Sequence, residues 1–483
     1  MKLKGTTQQK VIRICLLSAS ILALGSAMAQ YEGSDPRQRR LPAVKPSDAL
    51  LARIDAALPK PVTDEDFPPR DPAKEALGQV LFFDKILSGN KNIACATCHH
   101  PLAGTGDGLS LPVGEGGIGL STTRSTGDET SRVSERVPRN APHLFNIGAR
   151  EFTKMFHDGR VEENADHPTG YSSPAGDDLP LGLDSALAAQ ALFPPTSGAE
   201  MAGHPGENPV ADAAAAGNLA GPNGVWAQLA ERVAAIPEYE RLFSEAFDDV
   251  EGAEDITMTH VANAIAAFEA ATFRADDTPF DRFLRGDLTA MSPRALMGME
   301  LFYGEAKCAT CHKGTFLTDQ GFHAAGMPQI GPGKGDNLPG YDDGLDDFGR
   351  ERVTGDAADR FRFRTPALRN VALTGPWGHA GAYSDLRRVV EHQLDVAAAL
   401  EAYDPNQAIL PSDPNLDPFD FVVISDPARR AAIAATAEIE PLALDDEQID
   451  AIVEFLHALT DSRFLDMRRI VPKEIPSGLP LAD

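Results

Sequence analysis

The chain has 483 residues, 42% of them apolar, which suits two or three globular domains and excludes wholesale disorder. Its 71 acidic side chains outnumber its 44 basic ones, for a net charge of -27, which argues against nucleic acid as a partner and favours basic proteins.

In chain order, Lys2, Lys4, Lys10 and Arg13 form a basic leader, residues 14–24 are mostly apolar, and Ala27-Met28-Ala29 offers a small-x-small cleavage site. This predicts a cleaved signal peptide over 1–29 and an exported protein. Cleavage removes four basic residues and no acidic ones, so the mature charge is about -31. Cys15 leaves with it. Residues 30–64 read as a weakly ordered lead-in containing Pro and charges.

Asp71-Pro72 opens a helix, with Asp as N-cap and Pro at the first position, running through Leu77, Val80 and Leu81 to Phe82-Phe83. Cys95-Ala96-Thr97-Cys98-His99 follows. Ser292-Pro293 opens a second copy, through Leu296 and Met299 to Leu301-Phe302-Tyr303, and Cys308-Ala309-Thr310-Cys311-His312 follows that. Such a duplication predicts two related units. Cys-x-x-Cys-His is the attachment pattern of c-type haem: two thiols bond the vinyl groups of one haem, and the next residue presents an imidazole to the iron. A four-cysteine zinc site would need pairs over 200 residues apart to meet. A thioredoxin-like pair lacks its βαβ context, and two disulfides would leave both histidines without a role.

Residues 101–138, 161–185 and 202–223 are rich in Gly, Ser, Thr, Pro, Asp or Asn and read as loops. Met258, Val261, Ile265 and Phe268 recur at helical spacing, as do Ile449, Ile452, Val453, Leu456 and Leu459 after an Asp445 N-cap. These two helices read as the bookends of the second unit. The fold class expected is mostly α and loop-rich, with two cytochrome c-like haem domains in tandem. Their bounds are 65–250 and 251–462, followed by a tail over 463–483 that packs back on the first domain.

These segments resemble the bacterial di-haem cytochrome c peroxidase and MauG family. The likeness rests on Leu81-Phe82-Phe83-Asp84, both haem motifs and His157-Asp158-Gly159-Arg160. It extends through Ala264-Ile265-Ala266-Ala267-Phe268-Glu269, Pro279-Phe280-Asp281-Arg282-Phe283-Leu284 and the run from Phe363 to Thr374. The resemblance implies a periplasmic enzyme that reduces hydrogen peroxide at the N-terminal haem. Its electrons would come from a small c-type cytochrome or cupredoxin through the C-terminal haem. A MauG-like enzyme acting on a protein substrate and a non-catalytic electron carrier are the alternatives, and homodimers are common in the family. The family's distal-pocket residues map to Gln190, Pro194 and Glu200, with Glu200 moving the peroxide proton. Its interdomain calcium ligands map to Asn140, Thr374 and Pro376.

The chain departs from the family at three places. No histidine lies between His100 and His143, so nothing in that Gly-rich loop, where Glu115 sits, can close the first iron, which is expected to be open when oxidised. His157 stands where the family carries tryptophan. Fourteen residues after His379, where peroxidases have methionine and MauG tyrosine, stands Gln393, next to His392. Either His392 or Gln393 is the candidate distal ligand of the second haem, His392 being preferred on ligand strength, and methionine ligation is expected to be absent.

Overall fold

Asp71 does cap the first long helix: its carboxylate accepts from the N–H groups of Ala73 and Lys74, both at 3.1 Å. That helix, α1 (Pro72–Phe83), buries Leu77, Leu81, Phe82 and Phe83. The short α2 (Ala186–Ala191) starts from a Ser185 cap. Next come α3 (Met258–Thr272) and α4 (Pro293–Tyr303), the latter capped by Ser292, whose hydroxyl accepts from Ala295 N–H at 3.1 Å. Finally, α5 (Leu386–Leu394) and α6 (Asp446–His457) begin at Asp385 and Asp445 caps. The computed structural model describes residues 58–127, 133–338 and 341–481. The predicted signal peptide and residues 30–57 of the lead-in lie outside them.

The two long helices of each half cross at a glycine. A Cβ on Gly78 of α1 would lie 1.9 Å from the Ala264 carbonyl oxygen of α3, and one on Gly298 of α4 would lie 1.8 Å from that of Ala451 on α6. Only glycine allows this approach, and the device appears in both copies of the repeat.

The crossing corrects one expectation. Helix α3, read from sequence as the first bookend of the second unit, packs on α1. Phe268 lies against Phe82 with ring centroids 5.3 Å apart, and α3 contributes Met258, Val261, Ile265 and Phe268 to the first core. That core takes in α3 and the chain as far as Ala275, with Phe316, Ala367 and the tail added from later, and the second begins at Phe280 and is built on α4 and α6. The break lies near 276–279, not at 250. Apolar spacing defined the face of α3 but not the helix that covers it.

The tail returns to the first core. Phe464, Met467, Ile470 and Ile475 are buried there, with Phe464 4.9 Å from Phe145. Gln79 donates to the Ile470 carbonyl at 2.7 Å, and Ser477 donates to the buried Asp84 carboxylate at 2.7 Å. At the other end, residues 58–64 are more than a loose lead-in: Leu58 packs on the second core, and the N–H of Val62 donates to Asp281 at 3.4 Å.

Strand is scarce. A three-stranded antiparallel sheet is built from β1 (Lys154–Met155), β2 (Val161–Glu163) and β3 (Tyr171–Ser172). Phe322–His323 pairs antiparallel with Phe363–Arg364, and Asp336–Leu338 with Tyr341–Gly344. The chain is mostly helical. Among the described residues no helix is long and apolar enough to cross a membrane.

Candidate functional site

Each Cys-x-x-Cys-His segment makes a single helical turn and then fixes its histidine. His99 holds Nδ1 3.1 Å from the Thr105 carbonyl, and His312 holds Nδ1 3.1 Å from that of Leu317. A carbonyl only accepts, so Nδ1 carries the hydrogen and Nε2 is left with a lone pair able to bind a metal. Burial lowers both imidazoles from their ordinary value, which favours that neutral form. All four cysteines in the described residues are free. Burial pushes the Cys95 and Cys308 thiols up to about 12, the reverse of what a redox-active thiolate pair needs. The two copies differ in exposure. Ala96 and Thr97 are buried, whereas Lys307, Thr310 and Lys313 around the second motif are exposed.

One internal cavity joins the first motif to residues from far along the chain. Cys95, Cys98 and His99 line it together with Gln190 from α2, Pro194 from the following turn and Glu200 from the π-helical turn Gly198–Ala202. The family resemblance implied Gln190, Pro194 and Glu200 as a group, and the fold brings them together beside the first Cys-x-x-Cys-His.

Burial raises the Glu200 carboxyl above its ordinary range, and the positive charges of Arg160 and Lys334 pull it back. Arg160 stacks its guanidinium 3.4 Å from the centre of the Phe156 ring and pairs with Asp158 at 3.2 Å. Lys334 comes from the second half of the chain, and burial drops its ammonium to about 8. Glu269, on α3, also lines the cavity, and burial lifts its carboxyl to about 8.

Sequence reasoning missed Lys334 and gave no chemistry to Glu269 or Arg364. Arg364 keeps a buried Nη1 with no hydrogen-bond partner among the described residues. Lys334 lies outside the segments that the sequence singled out, and nothing local announces which cavity it reaches.

The Gly-rich loop after the first motif reaches this cavity through Pro112, Val137 and Pro138, and it is tied down at Arg124. The buried Arg124 donates to the carbonyls of Val113 at 2.6 Å, Gly119 at 2.7 Å and Gly114 at 2.8 Å. Glu115, the residue singled out in that loop, accepts from Asn90 at 2.8 Å through its side chain, and its N–H donates to the Ala199 carbonyl at 3.2 Å.

Between the two cores, Arg139 grips Asp347 with two bonds of 2.6 and 2.7 Å and reaches Asp158 at 2.6 Å. His157 and His379, which correspond in the internal repeat as His157-Asp158-Gly159 and His379-Ala380-Gly381, meet across Asn140: His157 Nε2 lies 3.0 Å from the Asn140 carbonyl, and the N–H of Asn140 donates to the His379 carbonyl at 2.8 Å. The His379 ring stacks on Phe363 with centroids 3.8 Å apart.

The other expected ligands fare differently. His392 is fully buried, with Nδ1 2.9 Å from the Tyr383 hydroxyl and Nε2 3.2 Å from the Ala325 carbonyl. Both ring nitrogens are engaged, which removes the sequence preference for His392 as an iron ligand. Gln393 faces the other way and donates to the Met327 sulfur at 3.4 Å. Of the expected calcium ligands, Asn140 turns its amide hydrogens to the carbonyls of Leu109 at 2.9 Å and Ser110 at 3.2 Å, and Thr374 donates its hydroxyl to Val371 at 3.1 Å. Pro376 follows a cis peptide bond. Among the described residues the metal-type cluster is elsewhere, at Cys311, Asp319 and His323. There His323 already bonds Asp319 and Glu438, each at 3.0 Å.

Residues 72–289 match the sequence profile of a family described as di-haem cytochrome c peroxidase. Over 346 residues the chain is 31% identical to the methylamine utilization protein MauG of Methylorubrum extorquens, covering 72% of this chain and 75% of that one. It is 26% identical over 449 residues to a cytochrome-c peroxidase of a Pseudomonas species, covering 84% and 96%. A solved MauG-like protein associated with microbial copper homeostasis shares the fold, with a TM-score of 0.54 at 24% identity over 86% of this chain and 98% of that one.

Proposed function

Because the chain belongs to the di-haem cytochrome c peroxidase and MauG family, and is with it an oxidoreductase of the peroxidase type, we propose that it reduces hydrogen peroxide to water in the periplasm. Electrons come from a small c-type cytochrome or cupredoxin. The two haems are covalently held in tandem cytochrome c-like domains, by Cys95, Cys98 and His99 in the first and Cys308, Cys311 and His312 in the second.

A haem asks for thiols, an imidazole with a free Nε2 and counter-charges for two propionates. The first cavity offers each of these. Its thiols are unpaired and its His99 is oriented. Arg364 Nη1 is buried without an acceptor among the described residues, and Arg160 and Lys334 add positive charge. Bound there, the haem iron supplies the electrons that reduce the O–O bond.

The protein's part is proton handling. Each peroxide takes up two electrons and two protons and leaves as two waters. Glu200 accepts a proton from the near peroxide oxygen and returns it to the far one, which departs as water when the O–O bond breaks. Gln190 orients the peroxide by hydrogen bonding. The exposed Lys307, Thr310 and Lys313 support electron entry at the second motif, since Ala96 and Thr97 of the first motif are buried. The loop held by Arg124 carries no histidine, which supports a first site open in the oxidised protein.

The observation that carries this reading is the shared cavity of His99 with Gln190 and Glu200, which lie 91 and 101 residues further along the chain. The test is rapid mixing of the oxidised two-haem protein with peroxide. Wild type should react without prior reduction. Glu200→Gln should keep its haem content and react slower by on the order of a hundredfold to ten-thousandfold, about 3–5 kcal/mol of barrier. An unchanged rate in the variant removes Glu200 from the mechanism, and a wild type inert to peroxide is an electron carrier.

The 31% identity to a MauG protein favours one second reading, oxidation of side chains on a partner protein. Steady peroxide turnover with a reduced small cytochrome as the only donor distinguishes the two.

A further inference from the structure

The internal repeat shows what to look for on the far side of the second haem. His99 and His312 are oriented alike, each donating from Nδ1 to a backbone carbonyl a few residues on, Thr105 in one half and Leu317 in the other. Downstream, Met155-Phe156-His157 corresponds to Trp377-Gly378-His379. In the first half Phe156 and His157 line the cavity, and so does Gln190 from the next helix, α2. In the second half the next helix is α5, which carries Gln393, and Gly378 stands in the place of Phe156.

The space that Gly378 leaves open is filled from another segment. A Cβ on Gly378 would lie 2.9 Å from Met327 Cε, and Gln393 donates its amide to Met327 Sδ at 3.4 Å. Met327 is therefore held over Gly378 and against α5, on the surface that lines the cavity in the first half. Its loop is anchored on both sides: the N–H of Glu438 donates to the Ala324 carbonyl at 3.0 Å, and Gln329 exchanges bonds with Asp347 at 2.6 and 3.1 Å.

We propose that the Met327 thioether is the distal ligand of the second haem iron, with Gln393 as its positioning residue. The inference rests on the two-haem reading above. It reverses the expectation that methionine ligation is absent, which followed from Gln393 alone. A thioether is a soft donor that suits iron and favours its ferrous form. A glutamine amide is a much poorer ligand, and His392 spends both nitrogens on Tyr383 and Ala325. One sulfur lone pair accepts the Gln393 hydrogen, which would leave the other able to bind a metal. A relay site that accepts electrons from a donor and passes them on is served by the higher potential that sulfur ligation gives.

The test uses the holoprotein and its optical spectrum. Ferric wild type should show the sulfur-to-iron charge-transfer band of a His/Met haem. Met327→Leu should abolish the band and lower the midpoint potential of one haem in a redox titration. Gln393→Leu should keep the band, because the amide only positions the sulfur. Met201→Leu should also keep it, although Met201 lines the first cavity. A two-haem protein without the band, a band that survives Met327→Leu, or a band lost on Met201→Leu instead overturns the assignment and leaves the two-haem reading intact. A haem content below two overturns both.

Discussion

Glu269→Gln is expected to stabilise the protein in neutral solution and to flatten its pH dependence. Glu269 lies on α3, lines the first cavity and is almost fully buried, and burial alone lifts its carboxyl from the ordinary 4.5 to about 8. The folded state therefore holds a proton that the unfolded chain releases near pH 4.5. For an acid raised in this way, the associated stability is fully present below the unfolded pKa and is lost as pH rises through the folded one. At about 1.4 kcal/mol per unit, the loss between pH 4.5 and pH 8 reaches a ceiling of about 5 kcal/mol. For a core of this size each kcal/mol moves the midpoint by about 2–4 °C, so the ceiling corresponds to about 10–20 °C. Glutamine keeps the neutral shape and has no proton to lose. Thermal or urea unfolding of both proteins from pH 4.5 to 9 gives a difference curve from which other titrating groups cancel. It should favour the variant progressively up to pH 8 and then level off. A flat curve would mean that Glu269 is ionised and compensated in the fold, and the argument from burial would be wrong.

Arg139→Met should cost about 3–5 kcal/mol near neutral pH, because Asp158 and Asp347 would be left buried without their cation. Arg139 holds both carboxyls below the usual range, Asp158 at about 2, so that stability is present above the ordinary carboxylate pKa and lost as pH falls through the folded values. Denaturant unfolding should show the gap to wild type narrowing in acid; a variant within about 1 kcal/mol at pH 7 would deny the pairing its role. Gly298→Ala should destabilise the second core by about 1–3 kcal/mol or more despite the better helix propensity of alanine, because its Cβ would sit 1.8 Å from a backbone oxygen of α6. Calorimetry would check it, and a stabilised variant would show that the crossing can widen freely.

Local chemistry was legible in the sequence. Asp71, Ser292 and Asp445 cap the helices they were expected to cap, because a cap bonds backbone groups two or three residues away. Both Cys-x-x-Cys-His segments were legible for the same reason, whereas Gln190, Pro194 and Glu200 were singled out only through the family resemblance. What depends on the covering surface was not. The apolar stripe of α3 said that a face is buried, but Gly78 and Phe82 of α1 decided in which core. His392 and Gln393 are neighbours in sequence, yet their side chains leave the helix in different directions, one toward Tyr383 and Ala325 and the other toward Met327. Lys334 reaches the first cavity from the second half, and Glu269 owes its proton to burial rather than to any residue beside it in the chain. Capping and motif spacing act over one helical turn and are fixed by the order of residues alone. Burial, charge neighbours and packing partners act between segments hundreds of residues apart, so only the folded chain sets them.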